Sequence, residues 1–162
     1  VVARAALVRE ALGDYAAAEP LFREVASWEK GMNFRRVIAM AHAARCMSGR
    51  GDLDGSARLF EQCRAAAGRL KQFREGVRAE IDVAEARAAI ARGDAAEARC
   101  LLARAAESVD PRSVHAAWTR FSVASAWSDL HVLLGDPDAA RRSRRDAERA
   151  ASGPSAPGMC EL

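Results

Sequence analysis

Aromatic residues make up only 6% of this 162-residue chain, there is one tyrosine, and just two of the 25 basic residues are lysine. Half the chain is hydrophobic, but alanine supplies 38 of those residues, so the apolar surface consists of many small side chains. That composition favours closely packed helices over a sheet. No uninterrupted apolar run of about 18 residues is present, and neither a signal-peptide pattern nor a lipidation signal stands at the ends. The chain therefore reads as cytoplasmic, with no membrane partner. Its four cysteines, Cys46, Cys63, Cys100 and Cys160, are 17, 37 and 60 residues apart, with no Cys-x-x-Cys and no paired histidines. That excludes a disulfide framework and a zinc site from the expectations: free thiols, no metal and no cofactor. Net charge is only +3 and its sign is mixed locally, whereas a nucleic-acid binder concentrates positive charge. Direct nucleic-acid binding is not expected.

Catalytic signatures are missing too. The sequence holds no Gly-x-Ser-x-Gly, no Gly-x-x-x-x-Gly-Lys-Ser/Thr, no Gly-x-Gly-x-x-Gly and no His-Glu-x-x-His, so no enzyme activity is expected. His42 and Cys46 lie four apart on one helical face, but two ligands do not make a metal site. They read as a half-buried histidine beside a core cysteine.

What is present is a recurring pair, Gly13-Asp14, Gly51-Asp52, Gly93-Asp94 and Gly135-Asp136, spaced by 38, 42 and 42 residues. Periods in this range mark helical arrays. Glycine suits a left-handed helix stop and aspartate an N-cap, so each pair closes one helix and opens its partner. Two of the pairs sit in Arg-Gly-Asp, the tripeptide of integrin ligands, at Arg50-Gly51-Asp52 and Arg92-Gly93-Asp94. Integrin ligands show that tripeptide on an exposed flexible loop, whereas here it falls between packed helices. The arginine then reads as a favourable cation in a last helical turn.

The flanking positions repeat in register. Seven residues before each glycine stand Ala6, Ala44, Ala86 and Ser128; five after it stand Ala18, Ser56, Ala98 and Ala140. Small side chains at both places let two antiparallel helices approach closely. Nine after come Phe22, Phe60, Leu102 and then Arg144; twelve after come Val25, Cys63, Ala105 and Ala147, on one face of the second helix. These residues resemble the tetratricopeptide repeat (TPR). The 42-residue period, and Ala18-Glu19-Pro20-Leu21, are similar to the kinesin-light-chain variety and to the helical-repeat domains of bacterial maltose-activator-type transcription regulators. The resemblance spans residues 1 to 151.

It implies an all-α, right-handed superhelix of four antiparallel helix pairs, divided at 1–32, 33–72, 73–110 and 111–152, with residues 153–162 a disordered or artificially cut tail. The helices are predicted at 1–12 and 14–30, 33–49 and 52–69, 73–92 and 94–108, 112–134 and 136–151. Because the chain opens inside an apparent helix without an initiator Met, it reads as a piece of something larger. Pro20, sixth in its helix, is predicted to kink it or to disturb its first turn. Pro137 suits the first position of a helix, and Pro111 precedes the fourth copy's first helix. Trp127 is assigned to the core, Trp118 to a lid or a contact surface, and Trp28 to closing the first pair. In Asp138 to Ala151, five arginines stand against three acids; Arg142 can pair with Asp138 or Asp146, and Arg144 with Glu148. This helix reads as a wet cap on the stack.

In the resembled family, ligands lie along the concave surface formed by the first helices, thirteen, ten, six and three residues before each glycine. Here those positions give Ile38, Ala41, Arg45 and Ser48, then Glu80, Val83, Arg87 and Ile90, then Ser122, Ser125, Asp129 and Val132. The candidate binding residues are Ile38, Arg45, Glu80, Val83, Arg87, Ile90, Ser122 and Asp129. The family's carboxylate-clamping Asn and Lys positions are missing, since Asn33 is the only asparagine. Arg36, Arg78 and Arg120, each fifteen before its glycine, form either an arginine ladder for acidic or phosphate groups or a set of repeat-to-repeat staples. The resemblance implies a scaffold or sensor segment that binds a peptide or partner domain. The alternative is the signal-sensing arm of a transcription regulator, and self-association is a third use.

Overall fold

The computed structural model describes residues 1–29, 31, 33–71, 73–109 and 116–152. Among these there are eight α-helices and no strand: α1 (Val2–Ala11), α2 (Tyr15–Trp28), α3 (Phe34–Gly49), α4 (Leu53–Gly68), α5 (Arg74–Ala91), α6 (Ala95–Glu107), α7 (Ala116–Leu133) and α8 (Pro137–Ser152). The fold is an all-α helical repeat. Each described helix end lies within two residues of its predicted place, apart from the start of α7, where residues 110–115, with Pro111, are outside the described residues, as is the tail 153–162.

The Gly-Asp pairs do both jobs assigned to them. At Gly13, Gly51, Gly93 and Gly135 φ is 76°, 89°, 80° and 70°, the left-handed conformation a β-carbon resists. The following aspartate's N–H bonds back into the helix being closed, Asp14 to Arg9 O at 2.9 Å, Asp52 to Met47 O at 3.0 Å, Asp94 to Ala89 O and Asp136 to His131 O at 2.9 Å. Paired with the glycine N–H bonds, this is the Schellman closure. The same aspartates then cap the next helix, accepting at Oδ1 from Ala17, Gly55, Glu97 and Ala139 N–H.

The predicted crossing points are closed to solvent. Ala6, Ala44, Ala86 and Ser128 face Ala18, Ser56, Ala98 and Ala140, and all eight are buried. Phe22, Phe60 and Leu102 fill the second helices at 3%, 2% and 0% exposure. Arg144, their counterpart on α8, is exposed, as are Arg141, Arg142, Arg145 and Arg149, so the outer side of α8 is wet. The ion pairs there differ from the predicted ones: Arg141 with Asp138 and Arg149 with Asp146, three apart instead of four.

Within the array α1 packs on α2, α3 on α4, α5 on α6 and α7 on α8; between pairs, α3 contacts α5 and α5 contacts α7, so the first helices lie side by side. Three buried clusters run through them, one around Ala6, Phe22 and Cys46, one around Val37, Phe60 and Ile81, one around Val83, Leu102 and Leu130. Helix α2 continues through Pro20 from Tyr15 to Trp28, and Pro137 opens α8. Trp127 packs partly buried on the third cluster, and Trp118 is half-buried with its ring 5.8 Å from Phe121. Trp28 closes nothing among the described residues: it is 57% exposed, since α2's buried stripe runs through Ala18, Phe22 and Ala26.

The arginines of the two Arg-Gly-Asp turns are committed to the neighbouring repeat. Arg50 Nη1 donates to Glu19 Oε2 on α2 at 2.5 Å. Arg92 Nη1 donates to Ser48 Oγ on α3 at 2.9 Å, and Nη2 to Glu97 at 2.7 Å. With both Asp52 and Asp94 capping helices, neither tripeptide is a free loop.

Candidate functional site: the polar face of the first helices

Because α3, α5 and α7 lie side by side, residues at equal offsets from each glycine form rows across them. The row six residues before the glycine holds Arg45, Arg87 and Asp129, and it carries most of the charge. At one end Glu10 of α1, 3% exposed, accepts from His42 Nδ1 at 2.9 and 3.1 Å and pairs with Arg45 Nη1 at 3.2 Å. At the other end Arg87 Nη2 donates to Ser125 Oγ at 3.0 Å, and its Nε stands 3.4 Å from Asp129 Oδ2. The His42 ring is held flat on Phe22, with centroids 4.8 Å apart, so α2 fixes the orientation of an α3 side chain.

Electrostatics differ sharply between the two buried carboxyls. Burial pushes Glu10 upward, but the charge and hydrogen bond of His42, then Arg45 and Arg87, outweigh it and hold Glu10 below its ordinary value. Glu80 lacks such pairing. Burial raises it to about 7 against the weaker pull of His42, Ser122, Arg87 and Thr119, and its Oε1 is buried with no partner among the described residues. Arg87 is lowered, first by burial and then by Arg45 nearby, the mark of two guanidiniums sharing one face. Arg45 itself keeps a buried Nε without an acceptor among the described residues.

Three of the eight predicted residues, Arg45, Arg87 and Asp129, are thus gathered on this face, while Glu80 of α5 and Ser122 of α7 are buried at 9% and 5% exposure. The apolar three differ. Val83 is 2% exposed inside the third core cluster, with no surface to offer a ligand; Ile90 packs half-buried against the same cluster; Ile38 is half-buried. Glu10 and His42 were missed as partners of Arg45. The signal existed for Glu10, which stands three residues before Gly13, the offset read in the other copies as Ser48, Ile90 and Val132. His42, nine before its glycine, lies off the family pattern.

Among the described residues no hydrogen bond or ion pair of Arg36, Arg78 or Arg120 runs from one repeat's helices to the next. Arg36 reaches back to Gly31 O at 3.5 Å, Arg78 pairs with Glu75 in its own helix at 3.4 Å, and Arg120 is exposed. The side chains that join repeats are others: Arg45, Arg50, Arg87, Arg92, and Arg64 of α4, which pairs with Glu85 of α5.

Cys46, 0% exposed with its sulfur 4.0 Å from Glu10 Oε1, is no nucleophile despite His42 nearby. Burial and the Glu10 charge push its thiol up to about 12. No group of three metal-ligating side chains occurs among the described residues, nor a helix long and apolar enough to cross a membrane. Set against family models, curated proteins and solved structures, the chain matches none.

Proposed function

We propose that this chain is a cytoplasmic protein-interaction module of the tetratricopeptide kind, in which the first-helix face holds a peptide or partner domain and no reaction is catalysed. The observation that carries this reading is the pair Arg45 and Arg87, in one row on neighbouring first helices, with guanidinium N–H groups beyond those given to Glu10, Ser125 and Asp129. A guanidinium already fixed by an intramolecular carboxylate loses little freedom on meeting a partner's acceptor, which favours binding. The alternative, a signal-sensing arm of a transcription regulator, uses the same face for a regulatory ligand and requires a DNA-binding or ATPase module elsewhere in the gene product.

The test is selection of peptides from a random display library, followed by calorimetric titration against variants. A hydrogen bond to a charged group contributes about 1.5–3 kcal/mol. Arg45→Ala and Arg87→Ala are each expected to weaken a selected peptide at least about tenfold, while Arg99→Ala at an exposed position of α6 leaves it unchanged. Equal binding by all four proteins, or turnover of a candidate substrate, would overturn the reading.

A further inference from the structure

The seam between α5 and α7 is built from small side chains. Ala79, Val83, Ala86 and Ala89 share one buried cluster with Val123, Ala126 and Leu130, so little apolar area is gained per residue and polar contacts carry a larger share. Two polar contacts cross the seam. Arg87 meets Ser125 and Asp129, and Glu80, 9% exposed, has the Ser122 and Thr119 hydroxyls of α7 beside it, which favour its charged form less than burial opposes it. One oxygen of Glu80, Oε1, is buried without a donor among the described residues. A neutral carboxylic acid tolerates such a place far better than a carboxylate, whose unpaired charge demands hydration or a cation.

Among the described residues the surrounding charges do not meet that demand. From α3, His42 and Arg45 are turned to Glu10 of α1; from α5 itself, Arg87 is engaged by Asp129 of α7. Charged residues of α4 and α6 act elsewhere on α5, Arg64 with Glu85 and Arg104 with Asp82.

We propose that Glu80 is a proton-operated latch for the α7–α8 pair: uncharged, it seats α7 on α5, and once ionised it loosens that pair from the array. In a stack each unit contacts only its neighbours, so a penalty in one seam is felt as opening of the unit beyond it. Among the described helices, α7 and α8 have such a neighbour on one side alone.

The direction follows from linkage. Glu80 holds its proton up to about pH 7 when the seam is closed and up to its ordinary 4.5 when open and hydrated. The closed form therefore loses ground as pH rises from 4.5 to about 7 and reaches a plateau above. Those two values make the opening constant of the pair about tenfold larger at pH 8 than at pH 6.

Hydrogen exchange on the whole chain, corrected for the intrinsic pH effect, reads this directly. Expected is about a tenfold loss of protection in α7 and α8 between pH 6 and pH 8, with α1 to α4 unchanged, and no such loss in Glu80→Gln. Equal protection of α7 and α8 at the two pH values, or the same pH response in Glu80→Gln, would overturn the latch. Should that variant not fold, carbon-13 titration of the wild-type Glu80 carboxyl decides: a midpoint near neutral supports the latch, and an ordinary carboxyl midpoint refutes it.

Discussion

Glu10 is the anion on which one end of the polar face depends, and its removal tests the account of that face. The carboxylate is 3% exposed and serves His42 at 2.9 Å and Arg45 at 3.2 Å. Glu10→Ala takes away the shared acceptor and leaves two cationic or donor groups partly buried beside each other. Breaking a buried pair by deleting one partner costs about 3–5 kcal/mol. Since the His42 and Arg45 side chains keep 19% and 16% exposure, hydration recovers some of this, and we expect the low end, about 3 kcal/mol. For a chain of this size that lowers Tm by roughly 6–12 °C. Urea unfolding at pH 7 followed by circular dichroism measures the loss, and a cycle with Arg45→Ala is expected to show coupling of at least about 1 kcal/mol. The pH dependence supplies a second check. Glu10 titrates below its ordinary 4.5 in the folded chain, so its contribution is present above 4.5 and is lost as pH falls through the folded value. The wild type and Glu10→Ala should converge in acid. A loss under about 1 kcal/mol, or a gap that persists in acid, would refute the reasoning.

Three further outcomes are expected. A β-carbon on Gly49 would lie 2.3 Å from Tyr15 Cδ2, so Gly49→Ala should destabilise by about 1–3 kcal/mol, with most of the loss relieved in a Tyr15→Ala background; equal losses in both would exclude the clash. Asp94→Ala removes the cap on Glu97 N–H at 2.9 Å and should cost about 1 kcal/mol in denaturant titration; an unchanged midpoint would mean that the Schellman closure alone sets the turn. In the native protein Cys100, exposed, should react with a thiol reagent before Cys46 and Cys63, both buried and pushed up to about 12, chiefly by burial; in denaturant without reductant all four thiols of the sequence should titrate.

The repeat was legible because its determinants are local and recur: a left-handed glycine, a capping aspartate and a small residue on either side of each turn. The helix ends at the Gly-Asp turns followed from those alone. The polar face was legible only in part. Offsets from each glycine located Arg45, Arg87 and Asp129 by register, but which atoms meet depends on how neighbouring pairs are placed, and no periodicity encodes that. Arg36, Arg78 and Arg120 share a strict 42-residue spacing and have three different surroundings. Glu80 shows the same limit: a glutamate at a groove position reads as a surface ligand until its 9% exposure is seen.

Each Gly-Asp turn satisfies its own backbone groups, so nothing in one turn depends on the identity of the next pair. The equal spacing of Gly51 and Gly93 makes whole units exchangeable. A chain lacking residues 51–92 joins Arg50 directly to Gly93, restores Arg-Gly-Asp at the junction and gives α3 the second helix that α5 had. Arg45 then occupies the register from which Arg87 reaches Ser125 and Asp129. One arginine would serve Glu10 and Asp129 together, turning two separate charge clusters into a single one and shortening every row of the face by one residue without changing its ends.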